Sequence, residues 1–289
     1  MVIPGAQRAG STSLLRWLGQ HPSVAVPRVT EVPFFLADHV HRRGWEAAFA
    51  RYFDEPSPDD LLLAKSVAIL YSEEATRRVV AHNPGVRFVV VLREPVARAV
   101  SAFRFARQLG LEPLTDLEEA LARGPGSFAD PNQRRATAYV ERSRYAKGIE
   151  RLREAVGVDR VLVHRFEDLM GDPVTVCEQT FSHLGLPPAA VDTSERHNPS
   201  GAARSQLLAR LARPADRPAG LARRVLDRIP GRVRDTVKQR LFDWNRSARD
   251  AGPPAHVSPS AQATIAERCR DDVEALEHLL GWDLTAWKR

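Results

Sequence analysis

The chain has 289 residues, of which 43% are hydrophobic and 27% charged, and this balance is typical of a folded globular protein rather than a disordered one. We see neither an apolar run of the roughly 20 residues that span a bilayer nor a charged-then-apolar leader, so we expect a cytoplasmic protein. A net charge of +6 and a pI near 9.8 favour anionic partners, but charge alone does not choose among nucleotides, nucleic acids, acidic glycans and lipid headgroups.

The chain opens with the pattern of a strand, a glycine-bounded loop and a helix N-terminus. Gly5 and Gly10 let the backbone turn tightly, so that successive amides can point at an anion on the positive end of the helix. The spacing fits the phosphate loop of nucleoside triphosphate enzymes, with Thr12 at the hydroxyl position, but Ser11 replaces the lysine and the nearest cation is Arg8. Taken alone, such a loop is more often an ordinary turn.

Three apolar segments, the last of them over 86–92 and unbroken from Phe88 to Leu92, are each followed by a helical pattern. This alternation is typical of an α/β protein, in which ligands bind beyond the carboxyl ends of parallel strands. Arg8, Lys65 and Arg93 all fall at such ends. We predict a single P-loop-like domain with a central parallel β-sheet flanked by helices, followed by a mostly helical C-terminal part.

A second anion site is predicted after the third of these strands. Ser101 follows Arg93 by eight residues, about two helical turns, and both can contact one phosphate if the chain bends back at Pro95. A surface arginine and a solvent-facing serine are an equally good interpretation of this pair alone. Together with the glycine loop, however, the pair predicts a ligand that carries two separate phosphate-type groups.

Further along the chain, the patterns predict a helical stretch over 135–156, a strand over 160–164, and helices over 173–184 and 258–280. Between the last two helices the character changes, since residues 204–249 carry thirteen Lys or Arg against four Asp and are interrupted by prolines. A basic helix with an apolar stripe could contact a membrane through 209–240, although a solvated helical cover over a cleft is the interpretation we prefer.

Few residues suit a metal or a disulfide. Cys177 and Cys269 lie far apart in the sequence and match no metal spacing, and the nine histidines form no ligand pattern. We therefore expect two buried reduced thiols and no metal site.

The two anion motifs resemble those of the sulfotransferases that use 3′-phosphoadenosine 5′-phosphosulfate (PAPS). The phosphosulfate pattern of that family, basic-x-Gly-[Ser/Thr]-[Ser/Thr], corresponds to Arg8-Ala9-Gly10-Ser11-Thr12, and its 3′-phosphate pattern corresponds to Arg93-Glu94-Pro95 with Ser101. The chain is most similar to the Golgi heparan-sulfate type and its bacterial relatives.

Further segments carry the same resemblance. Thr30-Glu31-Val32-Pro33-Phe34-Phe35 is similar to the segment that holds the acidic base, and Asn83-Pro84-Gly85 to the lead into the 3′-phosphate strand. The segment from Lys65 to Tyr71 is similar to Lys-[Ser/Thr]-Pro-x-x-x-Tyr, with Val67 in place of the proline.

The resemblance implies a role for each residue. Glu31 is the general base on the acceptor hydroxyl, and its apolar neighbours are expected to bury it; Lys65 stabilises the transferring group. Arg8 replaces the usual lysine and retains its charge, which makes it a stabiliser and leaves a general-acid role open. The donor-binding residues are Arg8, Ala9, Gly10, Ser11, Thr12, Ser13, Arg93, Ser101 and, in a closing loop, Arg204.

The implied organisation is one sulfotransferase domain over 1–289, with a nucleotide-binding core over 1–188, a basic cover over 189–257 and a C-terminal helix over 258–289. The implied donor is PAPS, the product is 3′-phosphoadenosine 5′-phosphate, and no metal is required. The implied partner is a small-molecule or glycan acceptor with a hydroxyl, most plausibly a carbohydrate, glycolipid or glycosylated metabolite, and not a nucleic acid. Two alternatives stay open: a nucleoside-triphosphate-dependent kinase, and a basic protein that binds anionic polymers or membranes. Each of the two catalytic residues also has a non-catalytic interpretation: Glu31 as a charge at a strand edge, and Lys65 as a side chain that reaches solvent.

Overall fold

A computed structural model describes residues 1–194 and 254–288. The described residues divide into two compact units, the first comprising 1–98, 142–194 and 266–288 and the second comprising 99–141 and 254–265. Arg204, residues 209–240 and most of the predicted cover lie outside the described residues, so the roles predicted for them stay predictions.

The strands belong to the first unit and are short. In chain order they are β1 (Val2–Ile3), β2 (Val24–Ala25), β3 (Leu61–Leu62), β4 (Ala64–Lys65), β5 (Phe88–Leu92) and β6 (Val161–Arg165). Four of them form a parallel sheet in the order β4-β1-β5-β6, and β2 pairs in parallel with β3. The predicted central parallel sheet is confirmed.

Strand β5 lies inside the sheet, as its unbroken apolar run predicts. All five of its residues are buried, and it pairs with β1 on one side and β6 on the other. Phe88 is the register partner of both Val2 and Val161. A strand covered on both faces needs apolar residues at every position, which explains why this segment lacks the polar–apolar alternation of a half-exposed strand.

Helices surround the sheet of the first unit. They are α1 (Ser11–Leu18), α2 (Asp38–His41), α3 (Trp45–Tyr52), α4 (Glu73–His82), α8 (Ala146–Val156), α9 (Phe166–Gly171) and α10 (Pro173–Leu184). The second unit contains α6 (Leu117–Arg123) and α7 (Pro131–Thr137). Two helices, α5 (Pro95–Gln108) and α11 (Pro259–Leu280), include residues of both units. Short 3-10 turns occupy Ile69–Tyr71, Pro125–Ser127, Glu141–Ser143, Val158–Arg160 and Thr285–Lys288.

The prediction of one helical stretch over 135–156 is wrong. Helix α7 ends at Thr137 and α8 begins at Ala146. The break is stabilised from a distance, because the carboxylate of Asp272 accepts hydrogen bonds from the amides of Tyr145 (2.5 Å) and Ala146 (3.2 Å) at the start of α8. A cap supplied 126 residues away leaves no local signal in the sequence.

The second unit is organised around a buried carboxylate. Glu112 accepts hydrogen bonds from the hydroxyl of Tyr139 (3.0 Å) and the amide of Leu114 (2.9 Å), and it pairs with Arg123. His256 joins the later segment to the earlier one, since its amide donates to the carbonyl of Thr115 over 2.8 Å. The buried charge is therefore compensated on both oxygens.

Both cysteines are buried and reduced, as predicted. Burial raises the pKa of Cys177 to about 12 and that of Cys269 to about 11, so neither thiol ionises at neutral pH. Within the two described ranges, no helix combines the length and the apolar character that crossing a membrane requires.

A buried histidine makes stability depend on pH. His164 on β6 is 5% exposed, and its Nε2 lies 3.0 Å from the hydroxyl of Thr180. Burial lowers the pKa of His164 from 6.5 to about 4, although the nearby Asp168 acts in the opposite direction. The folded state therefore favours the neutral ring. About 3 kcal/mol of the unfolding free energy is present above pH 6.5 for this reason and is lost as the pH falls towards 4.

We expect His164→Gln, which can still hydrogen-bond Thr180, to weaken this dependence. Urea denaturation at about pH 7 and about pH 4.5 should show a smaller loss of unfolding free energy in the variant than in the wild type. The exposed His39 gives the control, since His39→Gln should follow the wild type. Equal losses in all three proteins would contradict the assignment to His164.

Candidate active site

The loop between β1 and α1 is fixed at its base by the sheet. The amide of Ala6 donates to the carbonyl of Val91 (2.7 Å), and the amide of Val91 donates to that of Gly5 (3.0 Å), which extends the β1–β5 pairing. Gly10 precedes α1 with φ of 81° and supplies no side-chain cap. Because the first amides of a helix lack intrahelical acceptors, this end of α1 can bind an anion.

Gly10 cannot be replaced without strain. A Cβ built on it would lie 2.8 Å from Cδ2 of Leu169 and 3.3 Å from Cδ2 of Phe166, and its φ is in the left-handed region. Arg8 also has a left-handed φ, 67°, which is uncommon for a residue with a side chain. Unusual backbone conformations concentrate at ligand-binding loops, so this one supports a functional role for the loop.

Arg93, just beyond β5, contacts this loop. Its Nη1 donates to the carbonyl of Arg8 over 3.2 Å, and its guanidinium carbon lies 4.4 Å from the centroid of the Phe166 ring. The hydroxyl of Tyr145 donates to the carbonyl of Arg93 over 2.9 Å. Burial lowers the pKa of Arg93, but a guanidinium remains charged at neutral pH. Two of the predicted donor-binding residues, Arg8 and Arg93, are therefore in direct contact.

The helix that follows Arg93 has a carboxylate at its own N-terminus. Glu94 accepts hydrogen bonds from the amides of Val96 (2.6 Å) and Ala97 (2.5 Å), and burial raises the pKa of Glu94. The start of α5 is thus occupied from within the chain. Ser101 lies within α5 and belongs to the second unit, so its predicted cooperation with Arg93 stays a prediction.

Glu31 and Lys65 form an ion pair at the end of β4. Lys65 is 2% exposed, and its Nζ contacts Oε1 of Glu31. Oε2 of Glu31 accepts a hydrogen bond from the amide of Val67 over 2.9 Å. The amide of Val32 donates to the carbonyl of Lys65 over 2.8 Å, which attaches the Glu31 segment to the strand.

The structure corrects the expected burial of Glu31 and disagrees with the non-catalytic interpretation of Lys65. The side chain of Glu31 is 43% exposed rather than buried, because its apolar neighbours Val32, Phe34 and Phe35 enter the core while the carboxylate stays at the surface. Lys65 does not extend into solvent, as the non-catalytic interpretation required, but is held inside against the carboxylate. The arrangement presents a solvent-accessible base beside a buried cation.

These residues are distributed along one edge of the sheet. Lys65 ends β4, the loop with Arg8 follows β1, and Arg93 follows β5, and these three strands are adjacent in the order β4-β1-β5. Neighbouring strands lie about 4.8 Å apart, so the three positions extend over about 10 Å of the edge. Such a span can bind one ligand with several anionic groups.

Several contacts at this edge have no signal in the sequence pattern. They are the amide of Val67 on Glu31, the Phe166 ring under Arg93, the Tyr145 hydroxyl on the Arg93 carbonyl, and Arg142, whose guanidinium carbon lies 4.8 Å from the centroid of the Tyr71 ring. Each joins segments that are distant in the chain. The sequence shows only that Val67 stands where the family pattern has a proline.

The fold and this edge define an α/β protein with a phosphate-type loop at the carboxyl ends of its strands. Residues 1–190 match the model of the Sulfotransferase family, and the chain belongs to that family. It is 26% identical over 190 residues to heparan sulfate glucosamine 3-O-sulfotransferase 5 of Homo sapiens, an alignment that covers 65% of this chain and 53% of the relative.

It is also 28% identical over 198 residues to bifunctional heparan sulfate N-deacetylase/N-sulfotransferase 4 of Mus musculus, covering 65% of this chain and 22% of the relative. The chain thus spans about half the length of the first relative and about a fifth of the second. A solved sulfotransferase from Alicyclobacillus acidocaldarius superimposes with a TM-score of 0.69 at 22% identity, covering 100% of this chain and 98% of that one, and this likeness shows the fold.

The close contact between Gly10 and Leu169 can be tested by adding a Cβ at position 10. Gly10→Ala should lower the unfolding free energy by more than Gly185→Ala, because both glycines have a left-handed φ (81° and 73°) but a Cβ at Gly185 meets nothing within 4 Å. We expect about 1 kcal/mol for the conformational cost at Gly185 and a larger loss at Gly10, measured by urea denaturation. Equal losses would show that contact with Leu169 does not constrain the loop.

Proposed function

We propose that this protein transfers the sulfuryl group of PAPS to a hydroxyl of a carbohydrate acceptor. The observation that carries the proposal is the exposed carboxylate of Glu31 against the buried ammonium of Lys65, beside a loop suited to an anion. A sulfuryl transfer needs a base for the acceptor, positive charge for the leaving phosphate, and alignment of the two.

The order of subsites along the sheet edge suits the donor. The phosphosulfate binds at the start of α1, through the amides of Gly10, Ser11 and Thr12 and the hydroxyls of Thr12 and Ser13, with Ala9 completing the turn. The 3′-phosphate binds at Arg93 beyond the neighbouring strand; Ser101, its predicted second partner, belongs to the second unit. The sulfuryl group then faces β4, where the Glu31–Lys65 pair lies.

The reaction is a single in-line transfer. Glu31 accepts the proton of the acceptor hydroxyl as the acceptor oxygen bonds to sulfur. The bond between sulfur and the bridging phosphate oxygen breaks, and 3′-phosphoadenosine 5′-phosphate leaves with the electron pair and its negative charge. Lys65 and Arg8 stabilise that charge. An ammonium has three donors, so Lys65 can bond to Glu31 and to a donor oxygen together.

The acceptor class is inferred from the relatives and from the exposure of Glu31. The names of the matched relatives specify heparan sulfate, a carbohydrate, as their substrate. A base that is 43% exposed can be approached by a residue of a larger glycan as well as by a small alcohol. We therefore expect a sugar hydroxyl as the acceptor group.

Binding of the product nucleotide tests the donor site. Calorimetry with 3′-phosphoadenosine 5′-phosphate should show one site, and Arg93→Ala should weaken it at least tenfold, since a charge-assisted hydrogen bond contributes roughly 1.5–3 kcal/mol. Arg77→Ala on the exposed face of α4 is the control and should bind like the wild type. Unaltered binding in Arg93→Ala, or a preference for ATP with Mg²⁺ over this nucleotide, would contradict the proposal.

Turnover tests the base. With radiolabelled PAPS and either heparosan or desulfated heparin as acceptor, Glu31→Gln should lower kcat by about 10²- to 10⁴-fold because it removes proton abstraction. Nucleotide binding should persist in this variant. Glu46→Gln, on the exposed side of α3, should retain wild-type turnover. If Glu31→Gln transfers sulfate at the wild-type rate, the base is another group.

A further inference from the structure

We propose that Val67 is a positioning residue for Glu31, acting through its backbone N–H; this inference rests on the proposed function. The amide nitrogen of Val67 lies 2.9 Å from Oε2, while Nζ of Lys65 contacts Oε1. The two carboxylate oxygens therefore have different partners, one a side-chain cation and the other a backbone amide. Together the two contacts fix both the position and the plane of the carboxylate.

In this chain the exposed base has a restraint that the proline of the family pattern at this position could not supply, because proline has no N–H. The side chain of Glu31 is 43% exposed, and a glutamate of this kind loses up to about 2 kcal/mol of rotamer freedom when it is ordered. A single contact at Oε1 would leave the carboxylate able to rotate about its terminal bond. The second contact at Oε2 removes that freedom before the acceptor arrives, which is the purpose of preorganisation.

Val67 is also held through its carbonyl, which belongs to the next peptide group along the chain. Nη2 of Arg142 lies 3.4 Å from the carbonyl oxygen of Val67, and Arg142 is 8% exposed, with its guanidinium carbon 4.8 Å from the Tyr71 ring centroid. The hydroxyl of Tyr71 donates to the carbonyl of Arg142 over 2.7 Å. A buried arginine thus restrains the peptide group that directly follows the one whose N–H contacts the base.

The chemistry favours an amide in this role. Lys65 bonds to the donor as well as to Glu31 in the proposed reaction, so its contact serves two partners. The Val67 N–H has one proton to donate and no lone pair with which to compete for the acceptor's proton. Oε2 has a second lone pair, so the N–H can hold it while an acceptor hydroxyl approaches. The amide is therefore the restraint that acts on Glu31 alone.

The decisive comparison is Val67→Pro against Val67→Ala, because alanine keeps the N–H and proline lacks it. We expect kcat of Val67→Pro to be at least tenfold below that of Val67→Ala in the PAPS assay with heparosan or desulfated heparin. The KM for PAPS and the affinity for 3′-phosphoadenosine 5′-phosphate should agree within about twofold between the two, since the N–H acts on the base and not on donor binding. Equal kcat values would overturn the proposal.

A second background separates positioning from damage to the fold. In Glu31→Gln, Val67→Pro should cause a much smaller further loss of kcat, because the base that the N–H positions is already absent. A loss as large as in the wild-type background would show a merely structural effect and overturn the proposal. Should Val67→Pro fail to fold, an α-hydroxyvaline at position 67, which replaces the amide by an ester, removes the same N–H and must show the same dependence on Glu31.

The results also distinguish the role of Val67 from the proposed function itself. If the wild type transfers sulfate and Glu31→Gln does not, the proposed function holds whatever the Val67 variants do. Hydrogen exchange gives a readout without turnover: the Val67 amide should be protected in the wild type and lose protection in Glu31→Ala. Unchanged exchange in that variant would contradict the contact itself.

Discussion

The parallel pairing of β5 with its neighbours is the constraint on which the site depends. Its five buried residues contribute roughly 1.5–3 kcal/mol each through burial, which stabilises β5 between β1 and β6. Parallel strands bring their carboxyl ends to one edge. The loop after β1, Arg93 after β5 and Lys65 at the end of β4 therefore lie side by side without any direct interaction needed to gather them.

Electrostatics then determine which side chains this edge can hold. A lysine that is 2% exposed is costly without a counter-charge, and Glu31 supplies one while remaining open to solvent. The pair thus meets a folding requirement and a chemical one with the same contact. At the neighbouring position Glu94 caps its own helix, so the positive charge of Arg93 is not neutralised by direct pairing with it and can serve an anionic ligand.

The sequence allowed the α/β class, the buried central strand and most helices to be predicted, because these follow from local periodicity. It also indicated Arg8, Lys65 and Arg93, because all three cations follow predicted strands, whereas Glu31 was indicated by the family resemblance alone. It could not predict the break before α8, which depends on Asp272, or the amide contact of Val67, which depends on how two separate segments meet. It also misjudged the exposure of Glu31, since apolar neighbours along the chain do not determine which side chains share a surface.

The central claim is that three adjacent strand ends form one site for a sulfuryl donor. A crystal structure with bound 3′-phosphoadenosine 5′-phosphate tests it most directly. Our account predicts the 5′-phosphate within hydrogen-bond distance of the amides of Ser11 and Thr12, the 3′-phosphate against the guanidinium of Arg93, and the vacant sulfuryl position facing Lys65 and Glu31. A nucleotide bound with its phosphates in the reverse order, or away from this edge of the sheet, would contradict it.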